Sequence, residues 1–234
     1  MNRACVLLAT IVLISPIFVI GAEPDALAIA ALDGLDSFDD SAWSFTKTTT
    51  GRDGSRIERH DATKPEGLRW GLVRIDDREP TPREVEKYRR EKGKGAKKSD
   101  EGASDDPGID RETIRLVTET PDRMAFSFQP ESEGFASRFA GGILGTLVVN
   151  RDGGWLERLE IESRKELSPI PGVKLSEFHF TKTFQRDGDS GVLLPRSIEM
   201  HVRGRAFLFK SLDDDRVAHF TDFVRVRPST TNSQ

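Results

Sequence analysis

Gly188-Asp189-Ser190-Gly191 is the sharpest catalytic-looking motif in the chain, because a serine in such a tetrad is a known setting for an acyl-transfer nucleophile. That serine works only beside a histidine base that a buried acid orients. None of His60, His179, His201 and His219 stands in the Ala-Ala-His-Cys setting that accompanies it, and the tetrad sits between two strand patterns in an Asp/Gly-rich stretch. A hairpin turn is the economical reading. His179, His201 and His219 fall on three strand-like segments and could form a column, which would suit zinc or copper. No His-Glu-x-x-His pattern accompanies them, and histidines on a solvated strand face are ordinary. Asp213-Asp214-Asp215 lacks the spacing and closing glutamate of a calcium loop and reads as a polar turn. Gly141-Gly142-Ile143-Leu144-Gly145 is too apolar for a phosphate cradle and has no lysine. The residues therefore point away from an enzyme and imply no metal or other cofactor.

What remains is a site without reactive groups. Phe126, Phe128, Phe178, Phe180, Phe207 and Phe209 stand on strand-like segments, and Phe135 and Phe139 on a short helical one. If sheet and helices do not close fully, these eight line an apolar cavity; if they do, they are an ordinary core. Phenylalanine and methionine offer contact area without demanding polar partners, so the fitting ligand is an acyl chain or similar.

The positions of these aromatics depend on elements legible in the pattern. From Trp43 onward the period is two: Trp43 and Phe45, then Leu68, Trp70 and Leu72, alternate with polar residues, with a turn at Gly51-Arg-Asp-Gly54. Ile114 and Leu116 face Met124, Phe126 and Phe128 across a turn at Pro121-Asp122. Thr146–Asn150 and Trp155–Ile161 form a second hairpin around Asp152-Gly153-Gly154. Phe178, Phe180 and Phe184 mark a long strand, and Ile198, Met200 and Val202 another whose parity shifts near Gly204, as at a bulge. Residues 216–227 form the last strand. Helical stripes occur at Asp25–Phe38 and Ser132–Ala140, and Thr81, Pro82 and Glu84 make a capping box that starts a helix predicted to decay after Arg90 at Gly93 and Gly95. The order predicts an α+β domain: a curved antiparallel sheet, an open half-barrel, covered by a few short helices.

Residues 1–22 read as a secretory signal, with Arg3 before an apolar run and Gly21-Ala22 at its end. The expected location is the periplasm or cell envelope. Cys5 is the only cysteine and lies inside that signal, so the remaining chain holds no disulfide. Residues 23–227 are expected to form one domain, interrupted by a flexible charged insertion at 91–109 with no large apolar residue until its end, and followed by a frayed tail at 228–234. A net charge of −4 argues against nucleic acid as a partner.

This pattern resembles the LolA/LolB-like periplasmic lipoprotein carriers and the wider group of outer-membrane lipoprotein-sorting-type proteins. The likeness rests on Trp43-Ser-Phe45, the hairpin Asn150-Arg-Asp-Gly-Gly-Trp155, Leu194-Pro195 opening a strand, and Phe207-Leu-Phe209 through Phe220-Thr-Asp-Phe-Val224. The resemblance implies an open, curved sheet closed by helices over a cavity that shelters acyl chains of a lipid or lipoprotein, without catalysis. The rival expectation is an envelope scaffold with a fully packed core, binding a protein partner through the 89–108 segment or an exposed sheet edge.

Overall fold

Period-two alternation becomes strand over most of the chain. The computed structural model describes residues 24–99, 108–131, 141–207 and 210–226, so the signal-like segment, the helix expected at 132–140 and the tail lie outside the described residues. Among the described residues two α-helices, α1 (Pro24–Asp33) and α2 (Pro82–Ser99), accompany strands β1 (Trp43–Gly51), β2 (Gly54–His60), β3 (Trp70–Ile75), β4 (Ile109–Glu119), β5 (Arg123–Pro130) and β6 (Ile143–Asn150). The remaining strands are β7 (Leu156–Ser163), β8 (Val173–Arg186), β9 (Leu193–Ala206), β10 (Lys210–Ser211) and β11 (Asp214–Arg225). They form one open antiparallel sheet in the order β3-β2-β1-β11-β9-β8-β7-β6-β5-β4, with β10 paired to β9. The class is α+β with an antiparallel sheet, as the alternation and turn residues predict.

Residues directly opposite one another on neighbouring strands share a face. One row across eight strands runs Phe126, Leu147, Leu159, Lys182, Ile198, Ala218, Thr49, Arg56. The next runs Phe128, Gly145, Ile161, Phe180, Met200, Arg216, Gly51, Gly54. A single face thus begins apolar at β5 and ends charged at β2. Helix α1 packs on β4, β6 and β7 at the apolar end, where Ala28, Ala31 and Leu32 join Ile114, Phe126, Leu147 and Leu159 in the main core. A second, smaller cluster at the other end joins Trp43, Phe45 and Leu194, with His60 stacked on Phe45 at 4.8 Å and its Nδ1 2.9 Å from the Trp43 carbonyl.

Helix α2 starts where its capping box places it. The Thr81 amide donates to the Glu84 carboxylate at 2.8 Å, the Glu84 amide reaches the Thr81 hydroxyl at 3.4 Å, and Arg78 adds an ion pair to Glu84 at 2.7 Å. The Arg78 hydrogen bond, followed by those from Thr81, holds the Glu84 carboxyl at about 2, against an ordinary 4.5. A depressed carboxyl stabilises fully above its unfolded value and loses that contribution as pH falls through the folded one. Amide protection factors in the first turn of α2 should therefore fall as pH drops from 4.5 toward 2. Thr81→Ala, which removes the cap, should cost about 1 kcal/mol in urea unfolding.

Three expectations need correction. The helix does not decay after Arg90 but continues to Ser99, so the insertion expected at 91–109 is helical through 99, and strand resumes at Ile109. A glycine in a helix costs only about 1 kcal/mol relative to alanine, and Lys92, which is anchored on the sheet, holds the chain beyond Arg90. Leu68 does not join the alternation of Trp70 and Leu72, because it lies in the 3-10 turn Glu66–Leu68 and is exposed. Phe207 is the third and concerns the site itself. The chain leaves β9 at Ala206, Phe207 takes φ +49°, and its amide donates to the Gly172 carbonyl at 2.7 Å. Its ring therefore projects off the end of the sheet, 72% exposed, and does not line the core.

Candidate functional site

The alternation that builds β5 and β8 brings four of the eight predicted aromatics into one cluster. Phe126 and Phe128 are fully buried among the α1-side core, whereas Phe178 and Phe180 are only half-buried at its margin. Phe207 stands apart, beside a cleft of about 430 Å³ that Pro169, Ile170, Pro171 and Val173 also line. Phe135, Phe139 and Phe209 lie outside the described residues.

Phe178 and Phe180 belong to a strip that runs past the edge of α1. Their direct partners on β9 are Val202 and Met200, and Ile198 lies next along that strand on the same face. All five are half-buried. Helix α1 packs chiefly on β4, β6 and β7 and α2 on β3, so the strip lies between the two helices. A charged cluster under α2 borders it, on the same face of the sheet.

Val85, Tyr88 and Lys92 fall three and four residues apart and form the inward stripe of α2. The Tyr88 hydroxyl donates to Glu58 Oε1 at 2.8 Å, Lys92 Nζ lies 3.1 Å from the same oxygen, and Lys47 Nζ lies 3.8 Å from Oε2. Lys92 also sits 4.0 Å from the centroid of the Trp70 ring. Burial pushes the Glu58 carboxyl up, but the charges of Lys92 and Lys47 and the Tyr88 hydrogen bond outweigh it and hold the group below its ordinary value. Burial raises the Tyr88 hydroxyl, with the Glu58 charge adding to the effect, so it stays protonated as a donor. A cleft of about 410 Å³ opens beside these groups, between α2 and the ends of β1, β2 and β11. Sequence reasoning missed this cluster. The only local signal was the capping box, which fixes the phase of α2 and hence that Tyr88 and Lys92 share a face.

The catalytic candidates resolve otherwise. Ser190 caps a hairpin turn: its amide and hydroxyl both donate to Asp187, and no histidine is among its hydrogen-bond partners. On the face opposite the helices, His179 pairs directly with His201, and Glu162 and Asp215 extend the row on either side. His219 is out of that row, opposite Ser197. The His201 ring is held between Asp215 on Nδ1 and Glu177 at 3.3 Å from Nε2, and Arg203 reaches Asp215 at 2.8 Å. These polar contacts tie β8, β9 and β11 together. Among the described residues no group of three or more His, Cys, Asp or Glu is placed to hold a metal ion. Compared with known proteins, the chain matches no family model, and no curated protein shows significant similarity to it.

Proposed function

We propose that this is an exported, non-catalytic envelope protein that binds the acyl chain of a lipid or lipoprotein on the apolar strip between its helices. The observation that carries the reading is the half-buried strip of Phe178, Phe180, Ile198, Met200 and Val202, which continues the core beyond the edge of α1. Apolar surface of this kind stabilises a bound chain by about 25 cal/mol per Å² removed from water. The open antiparallel sheet with helices on one face is the architecture expected of the lipoprotein-carrier resemblance, and the half-barrel reading belongs to the same proposal.

Native mass spectrometry with lipid extraction, on protein purified gently from an exporting host, tests it. A stoichiometric lipid that survives purification is the expected result. Phe180→Glu should weaken uptake of a fluorescent fatty acid by ten-fold or more, since a lost phenylalanine contact is worth roughly 1.5–3 kcal/mol. Its melting transition should remain cooperative. A lipid-free mass together with no uptake of the probe by the wild-type protein would overturn the reading.

A further inference from the structure

The charged cleft under α2 has an internal imbalance. Lys47 and Lys92 share the carboxylate of Glu58, and Arg56 lines the same cleft, which Asp53 and Glu91 also line. Arg56 makes no ion pair with any described residue; its guanidinium lies 6.0 Å from the centroid of the Tyr88 ring. Arg216, also lining the cleft, is paired with Asp214 at 3.2 Å. Around Glu58 itself, two lysines and Arg56 therefore stand against one carboxylate. Burial lowers the Lys47 ammonium, and although Glu58 opposes this, repulsion from Lys92, Arg56 and Arg216 adds to it. An anion entering the cleft would relieve that repulsion in a partly desolvated setting, where charge-assisted hydrogen bonds are strong.

Position links this cleft to the strip. Phe180 pairs with Met200, Met200 with Arg216 and Arg216 with Gly51, so the apolar row on β8 reaches the cleft wall on β1 in three interstrand steps, about 14 Å. A chain lying across the strip would present its polar end to Arg56, Lys47 and Lys92.

We infer that the ligand is an anionic amphiphile, whose phosphate or carboxylate headgroup is held in the cleft by Arg56, Lys47 and Lys92 while its chain lies on the strip. This rests on the proposed function for the chain but not for the headgroup. Glu58 keeps the two lysines apart and fixed, and Arg56 supplies the cation left over for the ligand.

Calorimetric titration of the wild-type protein and Arg56→Gln with decyl phosphate, decanol and inorganic phosphate separates the possibilities. Arg56 is exposed and unpaired, so its replacement leaves the fold intact, and Lys92→Gln serves as a second variant. The expected result is that decyl phosphate binds at least roughly ten-fold tighter than decanol. That preference should shrink in both variants and in high salt, while decanol affinity stays constant. Equal binding of decanol and decyl phosphate by the wild-type protein would overturn the headgroup assignment and leave the strip as an acyl site. Binding of inorganic phosphate with no gain from the decyl chain would mean a free-anion site and overturn the amphiphile. Failure of all three ligands to bind would overturn both the headgroup and the acyl reading.

Discussion

Glu58→Ala should destabilise the protein by about 3–5 kcal/mol in urea unfolding, the range for removing one partner of a buried ion pair. The substitution leaves the Tyr88 hydroxyl without its acceptor and Lys47 and Lys92 facing each other across the vacated space. Helix α2 has few other anchors, since Val85 and Tyr88 are the large apolar residues it turns toward the sheet. Its amides should therefore exchange faster than those of α1. Glu58→Gln keeps an acceptor for Tyr88 and should fall between the two. The pH dependence has a definite sign. The folded carboxyl lies below its ordinary 4.5, so its contribution is present above that value and is lost as pH falls further. In Glu58→Ala that part of the acid dependence should disappear. A loss of less than about 1 kcal/mol, as for an ordinary surface pair, would mean that α2 is held by other contacts.

Gly145→Val is the second large effect, and its cause is steric. Gly145 pairs directly with Phe128, and the Phe128 ring lies flat over it: a Cβ at Gly145 would come within 2.0 Å of Cζ. Phe128 is 1% exposed, so the ring has no free space to enter. Overpacking of this kind costs typically about 1–3 kcal/mol, and at a backbone position with no room to give it should reach the upper end or beyond. Gly145→Ala should already cost most of that. The signature of the mechanism is non-additivity: Phe128→Leu destabilises alone but should recover part of the loss when combined with Gly145→Ala, a coupling that a double-mutant cycle reads directly. Two independent, additive losses would contradict the contact.

The parts of this architecture that depend on local chemistry were legible in the sequence. The capping box at Thr81–Glu84, the Asp152–Gly154 turn and the alternation of Met124, Phe126 and Phe128 each act within a few residues, and each appears where it was expected. The parity shift expected near Gly204 has a different basis: the irregularity opposite that glycine places its extra residue, Ser176, on β8, and β9 ends at Ala206 before Phe207. What could not be read depends on partners distant in the chain. Glu58 sits in an unremarkable Arg-Ile-Glu-Arg-His run, and its burial requires α2 to return over β2 thirty residues later. The length of α2 was missed because Gly93 and Gly95 argue locally for a stop, whereas Lys92 is tied to Glu58 and Trp70 from outside the helix. Phe207 was misassigned for the same reason. Its residue type fits a core, but a left-handed backbone and a bond to Gly172 direct it outward.

The place of β11 in the sheet sets the order in which the chain can be assembled. Strands β4 to β9 are joined by successive hairpins and need only near neighbours, but β1 pairs with β11, so Trp43 meets Arg225. The first three strands therefore gain no strand pairing with the rest of the sheet until the last strand has been made. Such remote pairings are slow to form, because the entropy of closing the loop is lost before any contact repays it. A polypeptide emerging from the ribosome would keep its two ends unpaired until synthesis is nearly finished.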